Sequence, residues 1–182
     1  MPSELRRAVF FDRDGTLMEE VHYCSDPAKV RVFGGVPEAL RSLKRAGFSI
    51  FIITNQSGIG RGLFTEAQYA AVAEEFLRQA GGESIDATYY CPDVPGVPSI
   101  CRKPEPGMVL AAAAEHRIDL AASYFVGDKI ADVECGRRAG TRTVLVLTGY
   151  GATQEVAADM VCRDAVEASG VILAEVRSTP EP

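Results

Sequence analysis

At 182 residues, with 47% apolar and 24% charged residues, the chain has the composition of an ordinary folded domain and the length to bury one core. Its 19 Lys and Arg against 25 Asp and Glu leave a net charge of -6, which argues against bulk attraction to nucleic acid or to an anionic membrane. A small phosphorylated ligand remains open to it, because a local cluster of cations, amide N–H groups and a metal overrides the global field.

Residues 1–182 are therefore read as one domain, with a flexible tail over 177–182. The N-terminal segment runs into Asp12 through a short apolar stretch, without the length or cleavage site of a signal peptide. No apolar stretch approaches the roughly 18 residues of a membrane span. A cytoplasmic protein without membrane or nucleic-acid partners is expected, and a monomer. Five scattered cysteines, Cys24, Cys91, Cys101, Cys135 and Cys162, fit reduced thiols better than a disulfide framework.

In chain order, short apolar runs alternate with helical stretches, the pattern of a parallel sheet with helices on its faces. Ala8 to Phe11 reads as a buried strand ending in Asp-Arg-Asp-Gly. Pro37 opens a helix through Ala46, and Gly47 stops it. Ser49 to Ile53 is a β-prone central strand. Thr65 with Gln68 forms a capping box that starts a helix to about Gln79. Ala87 to Cys91 is a third strand, Pro106 starts an alanine-rich helix to about His116, and Tyr124 to Val126 is a fourth strand. A helix over Ile130 to Ala139 and a strand over Thr143 to Leu147 complete the core. A short strand at Met160 to Cys162 and a helix from about Asp164 to Val176 follow.

Ligands of open parallel sheets bind outside the carboxyl ends of the strands. Those ends are polar here: Asp12-Arg13-Asp14-Gly15-Thr16, then Thr54-Asn55-Gln56-Ser57-Gly58, then Gly127-Asp128-Lys129 with Asp132 beyond, while Arg102-Lys103-Pro104 precedes the third helix. Carboxylates gathered in this way repel one another unless a cation sits among them, and oxygen ligands suit Mg²⁺. A carboxylate also attacks phosphorus to form an aspartyl-phosphate. Each motif alone is also a good turn sequence; their joint occurrence at successive strand ends is what points to catalysis.

Asp12-Xaa-Asp14-Gly-Thr16, Thr54-Asn55, Lys103-Pro104 and Gly127-Asp128 with Asp132 resemble, in identity, order and spacing, the motifs of the haloacid dehalogenase-like (HAD-like) superfamily. The resemblance spans about residues 8–150. It implies an α/β, Rossmann-like parallel sheet of strand order 3-2-1-4-5 flanked by helices, and a phosphatase. Asp12 would be the nucleophile and Asp14 the general acid and base. Thr54, Asn55 and Lys103 would grip the phosphoryl oxygens. Asp12, the Asp14 carbonyl and Asp128 would hold Mg²⁺, with Asp132 orienting a metal-bound water or Lys103.

The longer segments FFDRDGT, ITNQSGIGRGLFTEAQ, YYCP, CRKPEPGM and ASYFVGDK are similar to the heptose 1,7-bisphosphate 7-phosphatase subfamily, with histidinol phosphatases as the near alternative. That resemblance implies a small phosphorylated sugar as substrate, no cap domain, and substrate contacts from Glu20, Val21, His22 and Tyr23, from Thr54, Asn55, Gln56 and Ser57, and from Arg102, Lys103 and Lys129. Arg102 would engage the second, non-reacting phosphate, while Arg61 reads as a solvated loop residue.

Most relatives in that subfamily carry a zinc loop of the form Cys-Xaa-His followed by Cys-Xaa-Cys. The aligned positions here are Cys91, Asp93, Ser99 and Cys101, so no structural zinc is expected, and Cys91 and Cys101 are read as two buried thiols. A phosphate-sensing scaffold is disfavoured by the intact Asp12, Asp14, Lys103 and Asp128. A sugar phosphomutase is disfavoured because the stretches after Thr16 and after Cys91 are too short for a separate lid.

Overall fold

A computed structural model describes residues 5–178. Strands β1 (Ala8–Phe11), β2 (Ser49–Asn55), β3 (Ala87–Cys91), β4 (Tyr124–Gly127), β5 (Arg142–Val146) and β6 (Met160–Cys162) form one parallel sheet of order β3-β2-β1-β4-β5-β6. This is the expected order, extended by β6 on the β5 edge. The helices are α1 (Val36–Arg45), α2 (Ser57–Gly60), α3 (Glu66–Ala80), α4 (Gly107–His116), α5 (Ile130–Ala139) and α6 (Ala165–Ser178).

The central strands are apolar on both faces because both faces are covered. Along β1, Val9 and Phe11 join the core beneath α1, α3 and α6, while Ala8 and Phe10 join the opposite core beneath α4 and α5. The Phe10 ring stacks on Phe51 at 5.3 Å and on Phe125 at 6.4 Å, tying β1 to both neighbours. Burying each such ring contributes about 1.5–3 kcal/mol, so β1 is anchored on both sides where a buried charge ends it.

The Thr65 capping box forms as expected: Gln68 N–H donates to Thr65 Oγ1 at 3.2 Å, and Thr65 N–H donates to Gln68 Oε1 at 2.9 Å. The one-turn α2 was not anticipated. Helix α6 runs to Ser178; residues 179–182, most of the expected tail, lie outside the described residues. No described helix is long and apolar enough to cross a membrane. The sheet doubles back in chain order between β1 and β4, and this is where Asp12 and Asp128 emerge.

Candidate active site

Asp12 ends β1, and its backbone N–H donates to Val126 O at 2.9 Å, locking the residue to β4. Its carboxylate is buried beside Lys103, whose Nζ lies 2.6 Å from Asp12 Oδ1, 2.6 Å from Asp132 Oδ1 and 2.7 Å from Ile53 O. Those three acceptors use all the donors an ammonium has. The backbone of Lys103 is clamped as well: Asn55 Oδ1 accepts its N–H at 3.0 Å, and Asn55 Nδ2 donates to its carbonyl at 3.1 Å.

Carboxylate oxygens of Asp12, Asp128 and Asp132 lie within 4.8 Å of one another, and all three residues are buried. Burial pushes Asp12 above the ordinary carboxylate range, against the pull of Lys103. Burial, with the charges of Asp12 and Asp132, pushes Asp128 up to about 7. Burial also opposes the charge of Lys103, but Asp12 and Asp132 outweigh it and raise that ammonium above its usual value. Three buried acids against one committed lysine are a donor set that fits an added divalent cation bound through oxygen.

Glycine builds the cradle around Asp128. A Cβ on Gly15 would stand 2.5 Å from Asp128 Oδ2, and one on Gly149 would stand 2.2 Å from it. Both residues have positive φ, +85° and +55°, so only glycine fits without strain. The Tyr150 N–H then donates to Asp128 Oδ2 at 2.8 Å, and Thr16 Oγ1 lies 3.4 Å from Oδ1.

Asp14 faces the same space but is held differently. Arg13 Nη2 meets its two carboxylate oxygens at 3.0 and 2.9 Å, and Gln56 Nε2 donates to Oδ2 at 2.9 Å and to Thr54 Oγ1 at 2.9 Å. Arg13 is itself buried, with its guanidinium 5.6 Å from the centre of the Tyr69 ring. Gln56 thus spends its amide on Asp14 and Thr54, and Asn55 on the backbone of Lys103.

These groups open onto a cavity of about 340 Å³. Asp12, Asp14, Thr54, Asn55, Gln56, Ser57, Lys103 and Asp132 line it from the sheet side, while Glu20, Val21, His22 and Tyr23 contribute from the segment after β1. Arg102 and Lys129 complete the anticipated set; Asp128 lies fully buried behind the lining. Lys129 Nζ is 3.1 Å from Glu20 Oε2 and 4.8 Å from the centre of the Tyr150 ring. Tyr150 and Arg13 went unremarked in the sequence. Tyr150 follows the β5 end, so the strand-end rule that located the others, carried one strand further, reaches it.

The expectation of two thiols at Cys91 and Cys101 is corrected: they form a disulfide, with Cα atoms 5.6 Å apart, at the β3 end beside Asp93. The loop between them returns the chain to the strand end, which brings the sulfurs together. Cys24, Cys135 and Cys162 are free and buried. His116 packs on Phe51 with ring centres 4.8 Å apart and is absent from the cavity lining.

Residues 100–169 match the family model described as HAD-hydrolase-like. The chain is 42% identical over 166 residues to D-glycero-beta-D-manno-heptose-1,7-bisphosphate 7-phosphatase of Yersinia pestis, covering 85% of this chain and 88% of that protein. The chain belongs to the heptose-bisphosphate phosphatase family of HAD-like hydrolases. The counterpart in Escherichia coli K12 is also 42% identical, over 85% of this chain and 87% of that one.

Among solved structures of this family, the D,D-heptose 1,7-bisphosphate phosphatase of B. bronchiseptica, complexed with magnesium and phosphate, superposes with a TM-score of 0.85. It is 30% identical, over 93% of this chain and 99% of that one. The enzyme of the same name from Burkholderia thailandensis gives 0.70 at 28% identity, over the same 93% and 99%. Membership in the heptose-bisphosphate phosphatase family makes this chain a phosphatase.

Proposed function

We propose that this phosphatase removes the 7-phosphate of D-glycero-D-manno-heptose 1,7-bisphosphate through an aspartyl-phosphate on Asp12. The observation that carries the reading is the presence, in one cavity, of a buried, lysine-bound carboxylate and of the further cations Arg102 and Lys129. A bisphosphate needs both: one phosphoryl group at the nucleophile and counter-charge for the other.

Asp12 attacks phosphorus, the bond to the sugar oxygen breaks, and Asp14 gives its proton to the departing alkoxide. Asp14 then takes a proton from water as the water oxygen attacks phosphorus and frees the Asp12 carboxylate. Arg13 and Gln56 fix where Asp14 stands, Asn55 fixes Lys103, and Thr54 presents its hydroxyl 3.5 Å from Asp14 Oδ2. Asp12, the Asp14 carbonyl oxygen and Asp128 would hold Mg²⁺, which when bound supplies positive charge to the phosphoryl oxygens. Asp132 orients Lys103.

The heptose bisphosphate in the relatives' names supports the choice of sugar, and the magnesium and phosphate in the B. bronchiseptica enzyme support the choice of metal. A cytoplasmic monomer is part of the same reading, and the net charge of -6 argues against a nucleic-acid partner. The test is phosphate release with Mg²⁺ from heptose 1,7-bisphosphate, fructose 1,6-bisphosphate and histidinol phosphate. Preference for the heptose, abolished by EDTA and by Asp12→Asn, is expected. Preference for histidinol phosphate would overturn the substrate, and activity surviving Asp12→Asn would overturn the nucleophile.

A further inference from the structure

The stretch from Pro92 to Ile100 holds no regular secondary structure, and two of its apolar side chains face solvent, Val97 54% and Ile100 86% exposed; its backbone is held at the ends, where Gly60 N–H donates to Pro92 O at 3.2 Å and Gly107 N–H to Ile100 O at 3.1 Å. It begins at the β3 end, where Gln56 N–H donates to Cys91 O at 2.7 Å, and it closes at Cys101 through the bond to Cys91. The residue after that bond is Arg102. Its Nη1 donates to Asp93 O at 3.0 Å and its backbone N–H to Ser99 Oγ at 2.9 Å, so the guanidinium and the N–H of Arg102 are held from inside the segment that the disulfide closes, while its carbonyl accepts the Glu105 N–H at 2.9 Å.

Lys103, one residue on, is held otherwise. Its partners are Asn55, Ile53, Asp12 and Asp132, on the strand ends and on α5, and none belongs to the loop. Two adjacent cations of one cavity therefore depend on different supports: Lys103 on the strand ends and α5, and the Arg102 guanidinium on the loop that the disulfide closes.

We propose that the Cys91–Cys101 disulfide is a positioning device for Arg102, setting affinity for the non-reacting phosphate while leaving the chemical step at Asp12 untouched. The inference rests on the reading of Arg102 as the contact to that second phosphate. Closing a loop by a covalent bond removes the alternatives it samples when open, and a guanidinium pre-set for a bidentate phosphate contact loses less freedom on binding. The bond forms by thiol–disulfide exchange. One thiolate of the pair attacks a low-molecular-weight disulfide and releases one small thiol; the second thiolate attacks the mixed disulfide and releases another. The two electrons of the pair thus leave with the two small thiols, and a dithiol reductant reverses the sequence.

The test compares the full-length enzyme, with Mg²⁺, after oxidised glutathione and after dithiothreitol, with intact mass reporting whether the bond is closed. On reduction, KM for heptose 1,7-bisphosphate should rise about threefold to tenfold with kcat within about twofold, while kcat/KM for p-nitrophenyl phosphate stays constant. Cys101→Ser should behave like the reduced enzyme in either buffer; if it fails to fold, reduced wild type supplies the same comparison. Amide hydrogen exchange over residues 93–102 should accelerate on reduction while residues 53–56 stay protected.

An unchanged KM together with unchanged exchange, in samples whose masses differ by the two hydrogens, would overturn the proposal, and so would a bond that oxidised glutathione does not close. Arg102→Ala separates this failure from that of the bisphosphate reading. If Arg102→Ala raises KM in the oxidised enzyme but reduction does not, the brace alone fails. If Arg102→Ala changes nothing, the second-phosphate contact fails, and with it the assignment of Arg102 as the group the brace positions.

Discussion

Lys103 Nζ lies 2.6 Å from Asp12 Oδ1, with 3% and 6% of the two side chains exposed. An ion pair so far from solvent is costly to break from one side, because the partner left behind keeps its desolvation cost without its counter-charge.

Lys103→Met should therefore destabilise the protein by about 3–5 kcal/mol, less whatever Asp12 recovers by taking up a proton. The same change should lower kcat at least about a thousandfold, because the cation at the attacked phosphoryl group is lost. Denaturant unfolding and steady-state kinetics check both. Lys103→Arg should not rescue activity, since a planar guanidinium cannot reach three acceptors placed around one ammonium. Activity within tenfold of wild type in Lys103→Met would remove Lys103 from the mechanism, and in Lys103→Arg it would show that charge suffices without the three-acceptor geometry.

Asp128 makes the site pH-sensitive. Burial, Asp12 and Asp132 raise its pKa to about 7, so the folded protein holds this proton more tightly than the unfolded chain does. Its contribution to stability is complete below the ordinary carboxylate value and is lost as pH rises through about 7. Metal-free protein should lose thermal stability across that window, and Asp128→Asn should flatten the slope. Mg²⁺ needs the ionised form, so its affinity should fall about tenfold per pH unit below about 7. Melting curves with and without Mg²⁺ between about pH 5 and pH 8 measure both effects; a flat Mg²⁺ affinity would remove Asp128 from the ligand set.

A single methyl group tests the glycine cradle. The added Cβ of Gly149→Ala would meet Asp128 Oδ2 at 2.2 Å and Gly15 Cα at 2.7 Å, at a backbone φ of +55°. A cost of about 1–3 kcal/mol is expected, with Mg²⁺ affinity down about tenfold as Asp128 is displaced. Calorimetric titration of Mg²⁺ is the check, and unaltered affinity would mean that the cradle does not set the position of Asp128.

Gln56 offers a separate handle on the proton-transfer step. Gln56→Leu removes the donor to Asp14 and Thr54 and leaves a side chain of similar volume, so kcat should fall about tenfold to a hundredfold with KM little changed. A rise in KM at constant kcat would instead make Gln56 a substrate contact, the role the sequence suggested for it.

Much of the site was legible because it obeys local rules. A buried apolar run ending in polar residues, as at β1, β2 and β4, places those residues at one edge of a parallel sheet whatever the helices do. Asp12, Thr54 and Asp128 were read this way, and Lys103 from the polar stretch before the third helix. The uses of Gln56 and Asn55 were not, because they depend on which neighbour each amide meets across loops some 40 to 50 residues apart in sequence. Arg13 was hidden for a related reason: an arginine in a turn reads as solvated until the turn is folded against Tyr69 and Asp14.

The disulfide marks the boundary most clearly. By itself the sequence determined the alternation of strands and helices, the polar strand ends and the resemblance to a phosphatase superfamily, since each follows from side-chain type and spacing along a few residues. Only the tertiary structure decided that Cys91 and Cys101 meet, that three acceptors from three segments enclose Lys103, and that Gly15 and Gly149 close on Asp128. Those contacts join residues distant in the chain, and their geometry is set by how the loops pack above the sheet, which no local pattern encodes.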